Sequence, residues 1–285
     1  MPRFFLLCLG LLAASASITA QSVSFRLGPQ NIIQIPAELE GDTITLMLHT
    51  GHSGVAVTEE AASRIFLDEA GQSFESQSWG GGGEARLLEN KSLKLEDFQW
   101  DSLYIWVDKQ TGAGTEGKIG MDQFDSRWIS IDYDRQELSL SDEMPPGLDA
   151  SKALTLETHR DILFLNAELE IEGERFGNRF MIHSGFNGSI MLDDAFASEH
   201  ALAEKLEVIS TQEMMDAQGN KLSSVKTRGA NFLVAGQSIE DVEVNFFTGS
   251  IGRMQMSIIG SEILSSFNPV IDLEDKRIWL RPRES

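Results

Sequence analysis

The chain is written twice, and that repetition limits its possible folds more than any other feature. The first copy holds Ile44-Thr-Leu-Met-Leu-His49-Thr50-Gly51-His52-Ser53-Gly54 and the second Phe180-Met-Ile-His183-Ser184-Gly185-Phe186-Asn187-Gly188. Each is an apolar run of strand type that ends in His-[Thr/Ser]-Gly-x-x-Gly. A short helical stretch follows each, Glu59 to Ile65 and Asp193 to Lys205. The later landmarks also match. Gly117-Lys-Ile119-Gly120, Trp128 to Tyr133 and Glu137 to Leu140 close the first copy; Ser257-Ile-Ile259-Gly260, Phe267 to Leu273 and Arg277 to Leu280 close the second. The same offset separates Ile119 from Ile259 and Asp132 from Asp272. Pro145-Pro146-Gly147 falls between the copies and reads as a linker. The segments are short, β-branched and aromatic, and punctuated by glycine turns, so strands dominate. The expectation is an all-β chain of two similar lobes of about 125 residues each, an ordinary size for a small domain.

The start has the pattern of an export signal. Met1-Pro2-Arg3 supplies a positive charge, Phe4 to Leu12 is apolar but too short to span a bilayer, and small residues run from Ala13 to Ala20. Cleavage after Ala20, or after Ala16, would leave a chain without its single cysteine, Cys8, and so without thiol or disulfide chemistry. An uncleaved anchor is the alternative. The expected organisation is therefore a leader over 1–20, a first lobe over 21–146 and a second over 147–285, in a periplasmic or secreted protein with no membrane span once the leader is removed. The formal charge of −21 repels phosphate backbones and anionic lipid, which excludes nucleic acid as an expected partner.

These landmarks resemble the aspartic protease superfamily in its bacterial retropepsin-like branch. There an apolar strand leads into Asp-[Thr/Ser]-Gly-[Ala/Ser], followed by a flap hairpin and an apolar-apolar-Gly segment. Thr50, Gly51, Ser184 and Gly185 fit the signature; Ile119-Gly120 and Ile259-Gly260 fit the later segment. The resemblance implies an acid-protease-like double barrel with short helices and a central cleft, which one chain completes as a monomer. It also marks the departure: His49 and His183 stand where the family has its two catalytic aspartates. Paired carboxylates share a proton and divide the work of acid and base. Neutral imidazoles do not supply the negative charge that activates water.

Three readings stay open. The first is a pseudoprotease that binds an extended peptide or related ligand in the cleft, by strand addition as the family does. The second is a metal site. His52 replaces the small residue of the signature, and His49, His52 and His183 could present three nitrogens to Zn²⁺ or Cu²⁺ with a fourth position for water. The third is a peptidase with His49 or His183 as base. The resemblance also places a first flap at Trp79-Gly80-Gly81-Gly82-Gly83, either a lid or a plain hairpin tip, and a second around Met214, Met215 and Asn220. Trp100, Tyr104 and Trp106 alternate and read as one core-facing side of a strand. His200 reads as a surface residue. Asp132 and Asp272 read as turn residues, and Asp122 and Glu262 as helix-start carboxylates.

Overall fold

The computed structural model describes residues 21–66, 71–78, 81–112, 114–124, 127–159, 162–247 and 254–283. The leader with Cys8, and Trp79 with Gly80 at the first flap tip, lie outside them. The chain is all-β with a few short helices.

Two eight-stranded sheets repeat one topology. In the first the order is Arg26–Leu27, Ile33–Leu39, Asp42–Leu48, Gly117–Ile119, Val55–Thr58, Phe98–Asp108, Gly81–Leu95, Gln72–Ser78. In the second it is Glu157–His159, Ile162–Ile171, Glu174–Ile182, Ser257–Ile259, Ile190–Met191, Gln237–Phe247, Lys221–Val234, Glu207–Met215. An extra pairing bends each sheet back on itself, Ile33–Leu39 with Gly81–Leu95 and Ile162–Ile171 with Lys221–Val234. Strand alternation is plain in Ile33–Leu39, where Ile33, Ile35, Ala37 and Leu39 are buried and the residues between them are not. The hairpin that follows turns at Glu40-Gly41, and its counterpart at Glu172-Gly173. All four residues have positive φ, as a tight two-residue hairpin requires.

A third sheet joins the halves. Trp128–Asp132 pairs antiparallel with Phe267–Asp272, so Ile129 lies opposite Ile271. Each of these strands belongs to its own hairpin, with Glu137–Ser141 and with Arg277–Pro282. Asp132 and Asp272 are the turn residues the sequence suggests. The Asp132 carboxylate accepts from the N–H groups of Asp134 and Arg135, and that of Asp272 from Glu274 and Asp275. Asp272 is fully buried and also receives Arg127 and Arg277.

Two expectations need correction. The strand Phe98–Asp108 changes its inward face part-way. Irregular pairing with Gly81–Leu95 and a positive φ at Ser102 shift the pleat by one residue. Phe98 and Trp100 pack against the core, and then Leu103, Ile105 and Val107 do. Tyr104 is therefore 61 % exposed, and Trp106 faces the cleft rather than the core. His200 is not a free surface residue. It ends the helix Asp194–Glu199 half-buried between the rings of Phe176 and Phe196, at 5.2 and 4.9 Å. No helix among the described residues is long and apolar enough to cross a membrane.

Candidate functional site

The strands Asp42–Leu48 and Glu174–Ile182 each lie beside a short parallel strand, Gly117–Ile119 and Ser257–Ile259. That neighbour holds the next residue in place: His49 N–H donates to the Ile119 carbonyl at 2.9 Å, and His183 N–H to Ile259 at 3.0 Å. A tight turn follows in each copy. His52 N–H donates back to the His49 carbonyl and Phe186 N–H to that of His183. Gly120 and Gly260 sit under these turns. A Cβ on Gly120 would strike the His52 carbonyl, and one on Gly260 the Gly188 carbonyl. Asp122 and Glu262 do not cap helices, since the helices here are a single turn. The Asp122 carboxylate instead takes the Gly54 N–H at 2.9 Å, and Glu262 takes the Ser189 hydroxyl at 2.5 Å.

The two turns then grip one another across the junction of the lobes. Thr50 N–H donates to Ser184 Oγ, and Ser184 N–H donates to Thr50 Oγ1, both at 3.0 Å. Each hydroxyl passes its own proton to the opposite strand, Thr50 to the Ile182 carbonyl and Ser184 to the Leu48 carbonyl, both at 2.6 Å. All the polar atoms in this buried exchange are satisfied. The glycines that follow make room for the opposite lobe. A Cβ on Gly185 would run into the His49 ring; one on Gly51 would run into Met181 and come within 3.2 Å of His183 Cδ2. As a result the His49 and His183 rings face each other with centroids 4.4 Å apart and planes inclined at 53°. His52 lies at the edge, 5.8 Å from His49. His49 Nδ1, His183 Nδ1 and His52 Nε2 are enclosed and have no hydrogen-bond partner.

One residue of this site carries no weight in the sequence reading. Lys118 is buried in the cleft floor and pairs with Asp108 at 2.8 Å, each side chain 8 % exposed. Lobe two has no counterpart. Strand register makes Lys118 equivalent to Ile258, since they pair with Met47 and Met181, and makes Asp108 equivalent to Phe247. Phe247 and Ile258 there belong to an apolar cluster. The signal was present in the comparison of the copies: Lys118-Ile119-Gly120 breaks the apolar pattern that Ile258-Ile259-Gly260 keeps.

Burial and this cation set the protonation of the histidines. Burial above all, then His183, Lys118 and His52, holds His49 well below the ordinary imidazole value. His52 is pushed down to about 3 by burial, Lys118 and His183, and His183 to about 4 by burial with Lys118. All three rings are neutral near pH 7. Unfolded imidazoles bind protons below about pH 6.5, whereas these take them up only near 4 and 3. Between those limits the unfolded chain holds more protons, so stability falls as pH falls. The expected slope is up to about 1.4 kcal/mol per pH unit for each histidine. Urea titrations of wild type and of His49→Gln with His183→Gln, run from pH 7 to pH 4, check this. Equal profiles for the two proteins would show rings that are solvated rather than buried.

The rings open into a cleft of about 740 Å³ lined by both lobes and both hairpins. Trp106, packed edge-on against Phe74 at 5.7 Å, forms part of one wall. Phe186 forms part of the other and Met214 packs beside it, while Met215 is 45 % exposed. The hairpin tip Asp216–Asn220 reaches across. Lys109 N–H donates to the Ala217 carbonyl at 3.1 Å, and Gln110 Nε2 to the carbonyls of Met215 and Asp216 at 2.7 and 2.9 Å. Gln218 Nε2 reaches Ser76 on the first hairpin at 3.3 Å, and Gly81 and Gly83 lie against Asn220 and Gln218. Among the described residues no three His, Cys, Asp or Glu side chains converge as a metal-ligand set.

Comparison with known proteins agrees with this architecture. A family model described as aspartyl protease matches residues 35–123, the stretch from the first hairpin through His49 to the turn after Gly120. No curated protein matches the chain.

Proposed function

We propose that this chain is an exported, aspartic-protease-like protein that holds an extended peptide in the cleft between its lobes and does not cut it by a carboxylate-pair mechanism. The observation that carries this reading is the junction itself. The reciprocal Thr50–Ser184 exchange builds a rigid, fully bonded platform, and the two groups it presents to one another are neutral imidazoles. A scaffold of this kind needs a shared negative charge to activate water. Here the nearest carboxylate partner of a cation, Asp108, is occupied by Lys118. The cleft remains roomy, has aromatic walls, and is bordered by hairpins from both lobes.

A Zn²⁺ or Cu²⁺ centre on His49, His52 and His183 is the competing reading, supported by three enclosed ring nitrogens without partners. The cation on Lys118 opposes it, because the field that lowers the proton affinity of the rings also repels a metal ion. One experiment separates the readings. Fluorescently labelled, unstructured peptides are mixed with the protein, with and without a chelator, and followed by anisotropy and mass spectrometry. The proposal expects saturable binding that ignores the chelator and returns the peptide intact. Binding lost on chelation would make the site a metal centre. Cleavage products that vanish in His49→Ala would make it a peptidase.

A further inference from the structure

The polarity of the cleft floor is the reverse of a carboxylate pair. Two neutral rings, a third at their edge and a buried lysine occupy the place where peptide would cross the lobe junction. We propose that His49, His183 and Lys118 form a carboxylate-binding subsite, which takes one acidic group of the bound chain, either an Asp or Glu side chain or a free C-terminus. This rests on the peptide-cleft reading and adds what the cleft selects.

Three observations converge. First, the enclosed Nδ1 atoms of His49 and His183 have neither donor nor acceptor beside them. Nothing on the protein side fixes the tautomer of either ring. A ligand group that only accepts can therefore draw a proton to Nε2 on both rings and receive two N–H donors. A carboxylate is such a group. An amide oxygen accepts as well, but brings no charge to strengthen the bond.

Second, the charge nearby is positive. Lys118 acts electrostatically on all three rings, whereas Asp108 is turned to the lysine at 2.8 Å and to Gln218 Nε2 at 3.5 Å. The other charged groups lining the cleft are Glu75, Glu213, Asp216 and Lys226. Glu213 pairs with Lys221 and Lys226 with Glu243, while the Asp216 carboxylate takes backbone N–H groups of its own hairpin tip. An anion placed on the rings offsets the burial of Lys118 and competes with none of these pairs.

Third, the equivalent positions of lobe two are apolar, Ile258 and Phe247. The buried ion pair is thus a feature of one lobe and not a requirement of the fold. A buried pair is weak support for stability in itself, which leaves recognition as its use.

Binding has a pH signature. A carboxylate beside an imidazole favours the charged ring, so the complex takes up protons as pH falls towards 5. Affinity rises until the ligand carboxyl itself protonates, near about 4.3 for Glu.

The test uses the full mature protein with chelator present and three pooled libraries of acetylated heptapeptides. One has a central Glu and an amidated end, one a central Gln and an amidated end, and one a central Gln and a free carboxyl end. The Glu pool, or the free-end pool, should bind about tenfold more tightly than the capped Gln pool, the gain of one charge-assisted contact. Whichever pool gains identifies the source of the carboxylate. The gap should widen from pH 7.5 to pH 5.5. In Lys118→Ile with Asp108→Phe, which copies lobe two, the gap should shrink below about threefold, with capped Gln binding unchanged. Equal affinity of all three pools to wild type would overturn the subsite and leave the peptide cleft standing. No binding of any pool would overturn both. A variant that fails to fold does not blunt the test, because the comparison of pools is made on wild type.

Discussion

Lys118→Met is expected to destabilise the protein by about 3–5 kcal/mol, the usual cost of stranding one member of a buried ion pair. Lys118 and Asp108 are 2.8 Å apart with 8 % of each side chain exposed, and the only other group on the Asp108 carboxylate among the described residues is Gln218 Nε2 at 3.5 Å. Without the lysine, a carboxylate would remain in the cleft floor with one weak donor. Lys118→Ile with Asp108→Phe should recover most of that loss and lie within about 1–2 kcal/mol of wild type, because replacing a whole buried pair with apolar groups is often neutral. Lobe two already shows such a pair of residues at equivalent positions, Ile258 and Phe247 in contact with an apolar cluster. Urea unfolding at neutral pH measures both. A single variant that loses less than about 1 kcal/mol would show that water reaches the pair, as for surface ion pairs. A double variant as damaged as the single one would show that the pocket is shaped for the pair and not merely charged.

Ser184→Ala is the second large effect, at about 2–4 kcal/mol. It removes two hydrogen bonds, Ser184 Oγ to the Leu48 carbonyl at 2.6 Å and Thr50 N–H to Ser184 Oγ at 3.0 Å. Ser184 and Thr50 are buried, so the orphaned carbonyl and N–H have no water to turn to. Thr50→Val removes the mirror-image bonds and should cost a similar amount. The two changes act on one cycle, so the double variant should depart from the sum of the singles by about 0.5 kcal/mol or more. The same loss should reach the site. The exchange sets how closely His49 and His183 approach, and peptide affinity should fall with stability in both variants. Thermal and urea unfolding, with anisotropy on the same samples, test this. A Ser184→Ala protein as stable as wild type would mean that the lobes are held by the shared six-stranded sheet alone.

How the sequence and the fold divide the information is clearest at particular residues. The repeat is legible because it consists of local signals. An apolar run, His-[Thr/Ser]-Gly and a glycine turn each specify a strand and its end, and finding them twice predicts the two matching eight-stranded sheets. Asp132 and Asp272 were legible for the same reason, since each bonds to N–H groups two and three residues ahead. Where a local signal was read across an irregularity, it misled. Trp100, Tyr104 and Trp106 share a face in an ideal strand, but the positive φ at Ser102 and the bulged partner strand turn the last two away from the core. Asp122 and Glu262 sit where capping carboxylates belong, yet bond to Gly54 and Ser189 far along the chain.

The sequence by itself determined the duplicated all-β architecture, the two His-[Thr/Ser]-Gly turns and the resemblance they carry. Only the tertiary structure decided the partners: that Thr50 and Ser184 exchange bonds, that Gly185 makes room for His49, that Lys118 lies with Asp108 beneath the rings, and that the hairpin tip around Gln218 spans the cleft. The physical reason is distance along the chain. Strand period, turn and cap energies arise between residues a few positions apart and are written into short windows. A hydrogen bond between Thr50 and Ser184, or a cation whose field reaches His183 from Lys118, exists only after separate strands have packed, and no short window contains both ends of it.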